Sequence, residues 1–242
     1  MRFERDAADW AEKLGEVQRK YLEDLLYSQL YGEYEVLEGV ARLSRLVGEE
    51  EVRLFLLTHA RDNTVHADLF ERYLRDVAHA RVDWRAMEGR LPGPYVKLIS
   101  RAPRALLRRL EAGFERGALG ELLVLYYLLA DGILYNTSYV GLQETVWRRG
   151  WLEGLQRAYE MISRDEKRQT LFGALYLKAL ADEDPTVMEV VKRAMSRYGE
   201  DVIATIGHFA PLIESFGLAL DRFIEASRDV IREELEILGL RW

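Results

Sequence analysis

The chain has 242 residues, a formal net charge of −7 and 49% hydrophobic residues, which is enough apolar material for a substantial core and the wrong sign for a phosphate-binding surface. It has no cysteine, so disulfides, thiolate metal sites and cysteine nucleophiles are excluded together, and any metal must use oxygen and imidazole donors. The opening MRFERDAADWAEKLGE is too charged for a signal peptide and no run approaches the roughly 18 consecutive apolar residues of a membrane span; a cytoplasmic protein without a membrane span or a nucleic-acid partner is expected.

Only five prolines occur, Pro92, Pro94, Pro103, Pro185 and Pro211, and the stretches between them repeat apolar residues at helical spacing. The pattern predicts an all-α chain, 1–242 forming one ferritin-like domain. Helix one is expected over Gln18–Leu46 and helix two over Glu49–His79. Their short junction at Val47-Gly48 makes them antiparallel neighbours. VDWRAMEGRLPGPYVKLISRAPRA holds three prolines and reads as a crossover containing a short helix. Helices three and four follow over Leu119–Arg148 and Trp151–Leu180, and two C-terminal helices over Val187–Arg197 and Asp201–Leu238. Two helical hairpins joined by one crossover make a ferritin-like four-helix bundle with additional C-terminal helices. Many Glu and Arg with few Asn and Gln resemble a thermophile's composition.

Each core helix carries polar residues inside its apolar stripe. Glu33 falls within or beside the stripe of Leu26, Leu30, Val36, Leu37, Val40 and Leu43. His59, Asn63, His66, Phe70 and Tyr73 share one face of helix two. Asp131 interrupts the apolar run after Tyr126 and Tyr127, and Glu166 shares a face with Gln169. Taken singly, each is an ordinary surface or satisfied core residue; coincidence on four helices is what signals a site. Carboxylate-bridged two-metal bundles take one Glu from each of two helices and Glu-x-x-His from each of the other two. Here the set reads Glu33, Asn63-x-x-His66, Asp131 and Glu166-x-x-Gln169. The spacing is intact, but one carboxylate has become an amide and one histidine a glutamine.

On Gly32 to Val36, Asn63 to Phe70, Tyr126 to Gly132 and Arg164 to Gln169, the chain resembles the ligand-binding oxidases related to the ribonucleotide reductase small subunit. The resemblance spans Gly32 to Gly173. It implies a manganese-iron or di-iron pair, and an ether link between a tyrosine and a valine at the positions of Tyr126 and Val36. An ideal helix turns roughly 140° over five residues, so periodicity favours Tyr127 over Tyr126 as the neighbour of Asp131 unless a bulge intervenes. Phe70 stands where reductase subunits often carry a radical-forming tyrosine, and no flexible tail follows Gly239; both argue against a reductase role.

The leading reading is a metal-dependent oxidase-like protein that binds manganese and/or iron, as one or two ions, through Glu33, His66, Asp131 and Glu166, with Gln169 and Asn63 as neutral ligands. The alternative is a metal-free relative that keeps the fold as a ligand-binding or structural scaffold. There His66 is protonated between Glu33 and Glu166, while Asn63 pairs with Gln169. Iron storage of the ferritin kind fits less well, since it requires a closed shell. The partners to look for are a long-chain hydrophobic small molecule, lined by Phe70, Tyr127 and Phe172, and a second copy of the chain as a homodimer. His59 reads as a core histidine or a substitute ligand.

Overall fold

Apolar residues at three- and four-residue spacing form helices along the whole computed structural model, which describes residues 3–229 and 232–240. Among the described residues no strand occurs. An unanticipated helix α1 (Glu4–Glu12) precedes α2 (Glu16–Leu43) and α3 (Glu50–Asp76), which pack against each other as the first hairpin. The crossover contains α4 (Met87–Arg90), α5 (Gly93–Val96), a π-helix over Lys97–Arg101 and α6 (Ala102–Ala112). Pro94 sits in the first turn of α5, where a missing N–H costs nothing, whereas Pro103 lies inside the continuous helical run over 93–112, directly after the π-helix.

The second hairpin pairs α9 (Glu153–Glu183) with a composite helix: α7 (Arg116–Leu123), a π-helix over Val124–Tyr135, and α8 (Asn136–Thr145). Its span Arg116–Arg149 is apolar and long enough to cross a membrane, but 83% of its most apolar window is buried. A position that central explains the composition without a bilayer.

The C-terminal expectation needs correction. Instead of separate helices over Val187–Arg197 and Asp201–Leu238, α10 runs unbroken over Thr186–His208. Its buried face continues from Val187 and Val191 through Met195 and Tyr198 to Val202 and Ile206, which outweighs the ~1 kcal/mol cost of one glycine at Gly199. Beyond it lie α11 (Ala210–Ser215), α12 (Leu220–Asp229) and α13 (Arg232–Ile237); positions 230 and 231 of the predicted helix lie outside the described residues.

Helix α1 ties the two hairpins together. The buried Asp6 carboxylate accepts hydrogen bonds from the N–H groups of Gly154 (2.9 Å) and Leu155 (2.8 Å) and from the Tyr73 hydroxyl (2.9 Å). Asp9 accepts from the Leu152 N–H at 3.0 Å. The first turn of α9 has no side-chain cap of its own, so α1 supplies the acceptors that these N–H groups need. Asp6→Ala should lower the unfolding free energy by about 2–3 kcal/mol, whereas Glu4→Ala on the exposed face should stay within about 0.5 kcal/mol. Denaturant unfolding of both variants checks this, and equal effects would contradict the capping role.

Candidate metal centre

Four helical segments deliver the site. Glu33 is buried on α2, and α3 buries His59, Asp62, Asn63 and His66 between apolar ends made by Leu56 and by Phe70 with Leu74. Asp131 comes from the π-helix and Glu166 with Gln169 from α9, all buried. One oxygen of Glu33, one of Glu166 and a ring nitrogen of His66 lie within 4.8 Å of one another. His66 Nδ1 is 3.2 Å from Glu33 Oε2 and 3.7 Å from Glu166 Oε1. Asp131 faces the same cavity as Glu33, Asn63 and Glu166, and its Oδ2 lies 3.9 Å from His59 Nε2. All six residues expected to form the site are therefore buried on the inward faces of the core.

Within the π-helix, residues four and five apart both come near one side, and the two tyrosines take different neighbours. Tyr126 is buried against α2. Its ring meets α2 at Gly39, where a methyl group would overlap the hydroxyl, one turn beyond Val36. Tyr127 lies on the α9 side: its ring packs on Gly173, where a methyl group would again overlap, its hydroxyl lies 3.1 Å from His59 Nδ1, and, after burial, Asp131 is what acts most on its phenol.

Several contacts escaped the sequence reading. His66 Nε2 lies 3.2 Å from Asp165 Oδ2, and Arg168 holds both Asp165 (3.0 Å) and Asp62 (2.6 Å). The i,i+3 pair Asp165 and Arg168 was visible in the sequence as a surface ion pair; its contact with His66 across the bundle was not.

Burial pushes the Asp131 and Glu166 carboxyls well above the usual range, and the neighbouring carboxylates push them the same way, Glu33 beside Asp131 and both Asp131 and Glu33 beside Glu166. Burial would depress His66, but Glu33 and Asp165 outweigh it and raise it to about 9. His59 is pushed down to about 3, chiefly by burial and further by the positive charges of His66 and Arg168, and is a neutral imidazole.

The pairing expected of a metal-free site is only half present. His66 does sit between Glu33 and Glu166, and against burial Glu33 and Asp165 raise its pKa, but Asn63 does not pair with Gln169. Instead, Asn63 Nδ2 makes a long contact of 3.5 Å to the Glu33 carbonyl oxygen. Both amide atoms of Gln169, Asn63 Oδ1, Asp131 Oδ2 and His59 Nε2 are buried without a hydrogen-bond partner. Buried polar atoms without partners are costly in a protein core. Oxygen and imidazole donors of this kind suit manganese or iron, and the residues fit such an ion.

The polar cavity adjoins an apolar one lined by Leu25, Leu142, Ile206, Phe209, Leu212 and Ile213, with Gln29, Tyr95 and Leu134 lining both. Phe70, Tyr127 and Phe172, expected to line a ligand tunnel, line neither of these cavities. Phe70 packs edge-on against Tyr159 at 5.7 Å, and Phe172 stacks on Phe55 at 3.7 Å and meets the edge of Tyr127 at 5.6 Å. Their rings fill the space between α3, the π-helix and α9.

The shifts fix a pH dependence for the metal-free chain. A histidine raised from 6.5 to about 9 stabilises the fold fully below pH 6.5, and that stability is lost as pH rises through 9. The raised carboxyls of Asp131 and Glu166 act in the same direction. His59, lowered to about 3, acts only below pH 6.5. The melting temperature of metal-free protein should therefore fall between pH 6.5 and 9, a fall that bound divalent metal should flatten. A level or rising melting temperature without metal would contradict the assigned charges.

The ribonucleotide reductase small chain family model matches residues 1–237. No curated protein is similar enough in sequence to count as a match. Among solved structures, an R2-like ligand-binding oxidase with aerobically reconstituted Mn/Fe cofactor (long soak) is 18% identical, with a TM-score of 0.86 over 98% of this chain and 85% of that one. The R2-like ligand-binding oxidase with aerobically reconstituted metal cofactor after photoconversion is 20% identical, with a TM-score of 0.87 over 98% and 86%. A mutant with an Fe/Fe cofactor gives 19% and 0.87 over the same shares. At these identities the structures establish a shared fold, and the match over nearly the whole sequence establishes descent: the chain belongs to the ribonucleotide reductase small chain family.

Proposed function

We propose that the protein is a metal-dependent oxidase of the ligand-binding kind, holding manganese and/or iron among α2, α3, the π-helix and α9. The observation that carries this reading is the convergence of Glu33, His66 and Glu166 within 4.8 Å, with Asp131 in the same cavity and unpartnered polar atoms around it. Glu33, Glu166 and His66 Nδ1 would hold the ion. His66 would offer Nδ1 as a neutral ligand, with its Nε2–H donated to Asp165 to fix the ring. Asp131 completes the charge, and the amide oxygens of Asn63 and Gln169 are neutral donors. A bound manganese or iron ion would supply redox chemistry with oxygen.

The protein's own part is to keep this chemistry dry and aimed. Tyr126 is buried, and its phenol is held protonated chiefly by that burial. It stands one helical turn of α2 from Val36, which lines the polar cavity. The adjoining apolar cavity is the place for a hydrophobic ligand, since Gln29, Tyr95 and Leu134 border both spaces. Asn63 has no charge with which to bridge two ions, so the Val36–Tyr126 link is not expected to form.

A metal-free scaffold is the second reading, favoured by the 3.2 Å pairing of His66 with Glu33; the unpartnered Gln169 weighs against it. Aerobic loading with manganese and iron, followed by desalting, elemental analysis and intact-mass measurement, separates the two. Wild type should retain metal at an unchanged mass, and Glu33→Ala with His66→Ala should retain none while staying helical. Equal metal in the double variant would reject these ligands. A loss of roughly 2 Da, with a joined Val36–Tyr126 peptide, would show that two-metal oxidation survives.

A further inference from the structure

The Glu-x-x-His spacing on α9 ends in Gln169, so that helix offers no imidazole. The polar face of α3 carries an extra one: His59, one turn before Asn63 and 1% exposed. Its Nδ1 lies 3.1 Å from the Tyr127 hydroxyl, and its Nε2 has no hydrogen-bond partner. Opposite that nitrogen, at 3.9 Å, stands Asp131 Oδ2, which is also buried and without a partner. This separation is too long for a hydrogen bond. It fits two ligands of one ion, because donors about 2.1 Å from a shared metal lie up to about 4.2 Å apart.

We infer that His59 replaces the imidazole missing from α9, and that His59 Nε2 and Asp131 Oδ2 form a second, weaker position for a divalent transition-metal cation beside the one at Glu33, His66 and Glu166. The inference rests on the metal-binding reading above and extends it to a residue outside the family's spacing. With Nδ1–H donating to the Tyr127 oxygen at 3.1 Å, Nε2 would carry the lone pair that a ligating histidine requires. The weakness follows from charge: Glu33, Asp131 and Glu166 supply three carboxylates, and Asn63 adds none.

Titration of metal-free protein with Mn²⁺, followed by the electron paramagnetic resonance signal of free Mn²⁺ and by elemental analysis, tests this. Wild type should bind two ions with separable affinities, and His59→Phe should bind one. Should His59→Phe fail to fold, Tyr127→Phe keeps the ring while removing its hydrogen bond, and should weaken the second ion roughly 10- to 100-fold and leave the first unchanged. If wild type binds one ion, or if the variants bind two at unchanged affinity, the inference is overturned while the Glu33, His66 and Glu166 reading stands. A wild type that binds none removes both.

Discussion

The structure is organised around a charge imbalance in a closed space. Three carboxyl groups, Glu33, Asp131 and Glu166, are buried in one bundle core with a single cationic side chain, His66, among them. Burying a bare carboxylate is expensive enough that the group takes up a proton or a cation instead. Without metal the protein takes the first course: burial and mutual repulsion raise Asp131 and Glu166, and the surrounding anions hold His66 charged. On the proposed reading a divalent ion would answer these demands at once, and neutral amides at Asn63 and Gln169 would add no further negative charge.

The scaffold brings these groups together by close approach rather than by loops. The π-helix over Val124–Tyr135 turns Tyr126 toward α2 and Tyr127 toward α9. Two glycines make room: Gly39 for the Tyr126 hydroxyl and Gly173 for the Tyr127 ring. A side chain at either position would push apart two of the four segments that supply the site. Helix α1 acts at the other end of the core, where Asp6 and Asp9 satisfy the first turn of α9 and so anchor the helix that carries Glu166.

The two hairpins, the crossover and the polar positions were legible because each core helix is amphipathic and each polar residue breaks an apolar stripe. The π-helix was not, because VLYYLLADGILY is apolar on nearly every side and shows no face from which a period can be read. Its consequence, Tyr126 packed on α2 and Tyr127 on α9, depends on close approaches at Gly39 and Gly173 that spacing alone does not contain. Helix α1 and its caps were missed because Asp6 finds its acceptor role on residues 148 and 149 positions away. The expected gap between Arg197 and Asp201 is absent because the buried face of α10 continues past it from Met195 and Tyr198 to Val202 and Ile206. His59 was noted, but its unpartnered nitrogen facing Asp131 depends on the approach of two helices, which sequence spacing does not contain.

The most direct test of the central claim, that the buried carboxyls exist to hold a metal, is anomalous diffraction from crystals of the intact chain grown with Mn²⁺. The account predicts a manganese peak within about 2–2.5 Å of Glu33, His66 Nδ1 and Glu166, with His66 Nε2 still facing Asp165. Crystals with no peak at that position, and with His66 still paired to Glu33 at 3.2 Å, would contradict it.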